Sequence, residues 1–279
     1  MRCVLVPLCV VALGCGERRP RAAAVDAAVH ERTDRMAPPR AAAVSPAAAA
    51  PLVVVTYNVL YRRPGSAGTL EALRRANADV ALLQEITPRW ERALREHLRD
   101  RYPYMRFHAA RAGGLAVLSR WPLGEAELLP APRWFPALRV PVEAPGGRLQ
   151  VVAVHLRPPR FDRARPLQVL AETAAERRAQ IEAYWKALAP ELPTVIAGDF
   201  NESRTGDAVS FLTAHGLTSA LAAIDPDATT WHDLTGSRAA WQLDHVMVDP
   251  AFTVAAAEVM RAGDSDHFPV VVKLERTGR

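Results

Sequence analysis

Eight polar side chains in this sequence stand at the ends of apolar runs. They are Asn58, Glu85, His155, Asp199, Asn201, Asp244, Asp266 and His267. The tightest grouping is Gly198-Asp199-Phe200-Asn201, directly after Pro193-Thr194-Val195-Ile196-Ala197. The apolar run reads as a buried β-strand. The glycine is expected to permit a tight turn, so that aspartate and asparagine emerge at the strand's carboxyl end. One then offers a charged acceptor and the other an amide donor and acceptor. That pair suits a site where a phosphate, a water and a hard cation meet. An Asx turn closing a strand would use the same four residues, so the other six residues carry the weight. His155 and His267 add groups that exchange protons near neutral pH.

The flanking pattern predicts the elements that must position these residues. Val53–Val59 is a β-branched run that delivers Asn58, and Asp79–Glu85 is a second buried strand ending in a carboxylate. Between them Thr69–Ala76 reads as a helix capped by Thr69, and Pro88–Arg99 as an amphipathic helix with proline in its first turn. Gly114–Ser119 is a further strand. Arg139–Val142 and Leu149–Leu156 read as a hairpin around Pro145-Gly146-Gly147, with His155 near its end. Leu167–Leu188 is a long helix carrying Arg177, Arg178 and Gln180, and Phe211–Gly216 a short one ending on glycine. Trp241–Val248 is a strand containing Asp244 and His245, and Ser265-Asp266-His267-Phe268-Pro269 precedes a last strand, Val270–Leu274. His245 alternates to the face opposite Asp244 and reads as structural. There is no Walker loop, GxGxxG, GxSxG or HExxH.

Length, charge and cysteine content bound the classes open to the chain. At 279 residues it can hold one large domain with an ample core. The net charge of +5 is uneven: residues 1–51 carry 7 Arg against 4 acids, leaving 28 Lys+Arg against 26 Asp+Glu beyond them. The main domain is therefore near neutral, and global charge gives no argument for nucleic acid. The cysteines are Cys3, Cys9 and Cys15, so no disulfide staples the main domain and any metal there must use oxygen and nitrogen ligands. Arg2 precedes an apolar run, Cys3–Leu13, too short to span a bilayer and suited to a secretory signal. Ala12-Leu13-Gly14-Cys15 resembles the end of a bacterial lipoprotein signal, with the usual leucine and small residue inverted. The expectation is export, with a lipid anchor at Cys15 or an ordinary cleaved signal. Residues 16–51 are rich in Ala, Pro and Arg without apolar periodicity, and read as a disordered tether.

Taken in order, Thr56-Tyr57-Asn58, Leu83-Gln84-Glu85, Val154-His155-Leu156, Gly198-Asp199-Phe200-Asn201, Leu243-Asp244-His245 and Ser265-Asp266-His267-Phe268-Pro269 resemble the ordered signature of the endonuclease/exonuclease/phosphatase superfamily. The resemblance spans residues 52–276 as one catalytic domain. It implies an α/β fold: a four-layer α/β/β/α sandwich of two packed mixed β-sheets flanked by helices. It implies a metal site at Glu85 with Asn58 and Asp266, taking Mg²⁺ or Mn²⁺. It assigns catalysis to His267 oriented by Asp244, to Asp199 positioning the attacking water, to Asn201 holding a phosphate oxygen, and to His155 in acid/base work or phosphate binding.

The implied activity is hydrolysis of a phosphodiester by in-line attack of water. The substrate stays open between nucleic acid, a phospholipid or sphingomyelin, and a small phosphate ester, and the expected state is a monomer. A nuclease would want a basic edge, for which Arg62, Arg63, Arg157, Arg160, Arg163 and Arg165 are candidates. A lipid-cleaving enzyme would want an exposed apolar hairpin, and the sequence displays none plainly. The competing class is a binding protein that kept the fold and lost turnover.

Overall fold

The computed structural model describes residues 50–159, 165–234 and 239–277. The signal and almost all of the tether expected over residues 1–51 lie outside them, as do Arg160 and Arg163. In chain order the first half contains β1 (Leu52–Asn58), α1 (Ala67–Ala76), β2 (Val80–Gln84), α2 (Pro88–Leu98), β3 (Tyr104–His108), β4 (Leu115–Ser119), β5 (Glu127–Leu129), β6 (Ala137–Ala144) and β7 (Gly147–His155). The second half contains α3 (Pro166–Lys186), β8 (Thr194–Asp199), α4 (Asp207–Ala214), β9 (Thr218–Ser219) and α5 (Ala220–Ile224). It ends with β10 (Trp231–His232), β11 (Ala240–Trp241), β12 (Asp244–Val248), β13 (Phe252–Val259) and β14 (Val270–Arg276).

Two six-stranded mixed sheets form, in the orders β13-β14-β1-β2-β4-β3 and β5-β6-β7-β8-β12-β9, with β10-β11 a separate two-stranded ribbon. Side-chain alternation explains the layering. Val54, Val80, Leu82 and Val117 of the first sheet share one core with Val140, Val151, Val195 and Val246 of the second. The alternate residues Val55, Tyr57, Ala81 and Leu83 face outward onto Leu73, Trp90 and Leu94 of α1 and α2. On the second sheet Val152, Val154 and Ile196 face Ile181 and Tyr184 of α3 and Phe211 and Leu212 of α4. The central strands are thus covered on both faces, which is why they read as unbroken apolar runs. The result is the four-layer α/β sandwich expected.

Topology collects the polar strand ends on one rim. β1 and β2 run parallel, with Asn58 opposite Gln84, and β7 and β8 run parallel, with His155 opposite Asp199. β12 runs antiparallel to β8 and begins at Asp244, opposite Asp199. β14 runs antiparallel to β1, so the loop holding Asp266 and His267 enters at the same rim.

Several local expectations are corrected. Gly198 is not in a turn; β8 runs on through Asp199. A Cβ at Gly198 would lie 1.9 Å from the carbonyl oxygen of Val154, so glycine is required by the close approach of β7. The turn comes at Asn201, whose φ is +53°. α1 starts before Thr69 because the Ser66 side chain is its cap, accepting from the Thr69 N–H. The run Trp241–Val248 is broken at Gln242 and Leu243, which separate β11 from β12. β3 and β13 carry partly exposed, irregularly patterned residues and gave no clean strand signal.

Replacing Gly198 by alanine forces a methyl group onto backbone atoms. Gly198→Ala is expected to cost roughly 2–3 kcal/mol, lowering the midpoint of a thermal melt by on the order of 5–10 °C. An unchanged melt would show that β7 and β8 can move apart at no cost.

Candidate functional site

Asp199 is the centre of the rim. It is 2% exposed, and its Oδ1 accepts the backbone N–H of Asn201 at 2.8 Å. Its Oδ2 faces three nitrogens: Asn58 Nδ2 at 3.2 Å, His155 Nε2 at 3.5 Å and His267 Nε2 at 3.6 Å. Those residues come from both sheets, so only packing one sheet on the other brings them to a single oxygen.

Behind His267 stands Asp244, whose Oδ2 lies 2.8 Å from His267 Nδ1. The Thr230 hydroxyl donates to the same Oδ2 at 2.6 Å and accepts the N–H groups of Leu243 and Asp244 at 3.0 Å. Burial opposes charge on His267, but the Asp244 and Asp199 carboxylates outweigh it and push its pKa up to about 10. Burial pushes the Asp244 carboxyl up as well, with His267 pulling the other way. The imidazole, flanked by two carboxylates, is the group that holds the proton.

His155 is fixed from the other side. Its Nδ1–H donates to the Ala112 carbonyl at 3.0 Å, which aims Nε2 at Asp199, and its ring lies 5.4 Å from that of Phe135. Asn201 donates one amide hydrogen to the Leu156 carbonyl at 3.0 Å, leaving the second for a substrate oxygen. Glu85 is half-buried and has φ +65°, a strained backbone costing roughly 1–3 kcal/mol. Its Oε1 accepts from Asn58 Nδ2 at 3.3 Å and its Oε2 from the Tyr61 N–H at 2.8 Å. Asp266 is held by the Trp231 indole N–H at 3.2 Å and the Ser265 hydroxyl at 3.3 Å. It reaches the rim but makes no hydrogen bond to Glu85 or Asn58 among the described residues.

The donor set fits a hard divalent cation. Asp199, Asp244 and Asp266 put three carboxylates around one protonated imidazole, and Glu85 adds a fourth across Asn58, an excess of negative charge that would repel a phosphate. Asp244 Oδ1 is buried with no hydrogen-bond partner. Asp199, Asp244 and His267 bring ligand atoms within 4.8 Å of one another. Those atoms are engaged with each other deep in the protein, whereas the half-buried Glu85 keeps spare lone pairs and room for the waters that Mg²⁺ retains.

Other sequence-marked residues have supporting roles. His245 is buried, its Nε2–H donating to the Glu202 carbonyl at 3.0 Å and its Nδ1 accepting from Ser219 at 3.2 Å; burial pulls its pKa down to about 4. Arg177 Nε donates to Glu202 Oε2 at 2.9 Å, and Gln180 Oε1 accepts the Arg157 N–H at 3.0 Å. Both therefore brace the loops after β7 and β8. Arg178 lies over the Phe211 ring and pairs with Glu182. Arg157 is turned onto Glu176, at 2.6 Å, and the Trp134 ring, at 4.6 Å, rather than offered to a phosphate. Arg62 and Arg63 are exposed beside Glu85 and Asp264. Glu202 carried no sequence signal beyond its adjacency to Asn201, whereas Thr230-Trp231 is similar to a family position ahead of the aspartate strand, where a packed tryptophan is expected, and Trp231 does stack on Trp241.

At pH 7 His267 is expected to be protonated and His245 neutral. ¹⁵N NMR of histidine-labelled, metal-free protein should show the first titrating near 10 and the second near 4, with Asp244→Asn lowering the first by more than one unit. The folded pKa of His267 exceeds its unfolded value of about 6.5, so its contribution to stability is complete below that pH and lost as pH rises toward 10. A His267→Gln variant should lack that alkaline loss in a melting series; retention of the full slope would place its origin elsewhere.

The sequence profile of the Endonuclease/Exonuclease/phosphatase family matches residues 55–267. No curated protein matches the sequence. Among solved structures, an endonuclease/exonuclease/phosphatase from Beutenbergia cavernae DSM 12333 superposes with a TM-score of 0.66 at 23% identity, covering 82% of this chain and 72% of that one. The human Nocturnin catalytic domain with bound sulfate gives 0.60 at 18% identity, covering 82% and 94%. Sphingomyelinase C from Streptomyces griseocarneus gives 0.57 at 21% identity, covering 80% and 99%. At such identities these likenesses show the fold. The family includes nucleases, phosphatases and sphingomyelinases, and its enzymes use divalent metals. With a profile match running from β1 to His267, over most of its length, this chain belongs to the endonuclease/exonuclease/phosphatase family.

Proposed function

We propose that this protein is a divalent-metal-dependent hydrolase that cleaves a phosphodiester by in-line attack of water. The observation that carries the reading is the convergence of Asn58, His155 and His267 on Asp199 Oδ2. A carboxylate so surrounded, at the rim where the strand ends converge, is placed to orient a water and take its proton. The Asn201 N–H on Oδ1 keeps the second oxygen turned away, so the attacking water has one docking point.

His267, kept protonated by Asp244, faces the same point as a positive hydrogen-bond donor. It stabilises charge that builds on the phosphoryl oxygens in the transition state. The free amide hydrogen of Asn201 supplies a further donor to the phosphate, and His155, whose Nδ1–H is held by Ala112, presents Nε2 as a proton acceptor beside Asp199. Glu85, with Asn58 and Asp266, would hold the cation. When bound, Mg²⁺ or Mn²⁺ supplies electrophilic polarisation of a phosphoryl oxygen.

The test is turnover by the full-length chain with Mg²⁺ or Mn²⁺, with and without chelator. The substrates are bis-p-nitrophenyl phosphate, plasmid DNA, RNA, sphingomyelin and inositol phosphates. Cleavage should vanish in chelator. Asp199→Ala and His267→Ala should each lower kcat by roughly 10²–10⁴-fold, with folding verified by melts. Unchanged turnover in both variants would sink the assignment. Absence of cleavage across every substrate and metal would favour the non-catalytic reading.

A further inference from the structure

Two exposed tryptophans flank this site, one on each side of the central strand. β8 carries Asp199, with β7 and His155 to one side and β12 and Asp244 to the other. On the β7 side, Phe135 lies against His155 and Trp134 against Phe135, with ring centroids 4.7 Å apart. Trp134 is 44% exposed and its φ is +75°, a left-handed backbone that a bulky residue seldom adopts. The Arg157 guanidinium backs its ring at 4.6 Å. On the β12 side, Trp241 is 53% exposed and stacks on Trp231, with centroids 4.9 Å apart and planes at 12°. The Trp231 indole is tied to Asp266. Each exposed ring is therefore supported from behind and linked to a site residue.

Backed, solvent-facing aromatic rings on both sides of a phosphate site suit flat π-systems attached on either side of the phosphodiester. Stacking on such platforms tolerates any base because every base has a π-face, and a duplex hides those faces. The exposed Arg62 and Arg63 at the same rim supply charge for neighbouring phosphates. Exposed aliphatic residues, including Leu167 at 81% and Leu234 at 51%, offer no such face and would suit a lipid surface instead. The tryptophans are the residues wired to the chemistry, so they decide. We propose that the scissile phosphodiester belongs to single-stranded nucleic acid, with bases on either side of it stacked on Trp134 and Trp241. The inference rests on the phosphodiesterase reading above and names its substrate class.

Binding can be read apart from turnover. The probes are a fluorescein-labelled thymidine octanucleotide and an abasic strand of the same length. Anisotropy would be followed with the full-length Asp199→Asn protein in Mg²⁺ and with wild type in chelator. The base-bearing strand should bind more tightly. Trp134→Ala and Trp241→Ala should each weaken it about tenfold, while phenylalanine at either position retains most of the affinity and abasic binding is unchanged. Equal affinity for the two strands would overturn the proposal, as would alanine variants that weaken both alike. So would alanine variants that leave the octanucleotide bound but release the protein from phosphatidylglycerol vesicles, which would assign the tryptophans to a membrane. Base-selective binding without wild-type cleavage would keep the stacking site and reject the hydrolase; cleavage without base preference would do the reverse.

Discussion

A carboxylate with 2% exposure must be compensated or neutralised, and Asp199 is compensated by groups from four segments of the chain. The backbone of Asn201, the amide of Asn58 and the two imidazoles form that shell. Each member is itself fixed: Asn58 by Glu85 and Leu60, His155 by Ala112, and His267 by Asp244 and Ser265. The same arrangement that makes a buried charge tolerable is the one proposed to dock the attacking water, so on that proposal stability and chemistry depend on one set of contacts.

That shell exists only because two sheets share a core and end at a common level. Asn58 lies in one sheet, and His155, Asp199 and Asp244 in the other. Inward-facing valines and leucines hold the sheets together, so the core sets how closely the carboxylate meets its partners. Within the second sheet β7 and β8 also lie so close at Gly198 that a methyl group there would strike the Val154 carbonyl. Core packing and site geometry are therefore one mechanical problem.

A second buried network steadies the loops above the rim. Glu202 accepts from Arg177 at 2.9 Å and from the Val209 N–H at 2.8 Å, while its own carbonyl accepts from His245. Burial pushes its carboxyl up, and the Val209 N–H and Arg177 draw it back. The pair fixes the residue after Asn201 to α3 and α4, and Arg177 also holds the Arg157 carbonyl at 3.2 Å. Loops that carry site residues are thus tied to rigid helices instead of moving freely over the mouth.

What the sequence determined by itself was the set of strand ends and their residue types. Central strands buried on both faces must be apolar throughout, so Val53–Val59 and Thr194–Ala197 stood out, and so did the polar residues that terminate them. Edge strands β3 and β13, half exposed and irregular, left no comparable trace, and the Ser66 cap was hidden because its neighbour Thr69 is an equally good capping residue. Only the tertiary structure decided which polar atoms meet. Thr230 on Asp244, Arg177 on Glu202, and Trp134 and Trp241 on opposite flanks join residues distant in sequence, or set side-chain directions that no local pattern encodes. Secondary structure follows from local periodicity, but convergence on one oxygen atom depends on sheet order and on packing two sheets face to face. Those are properties of the whole chain.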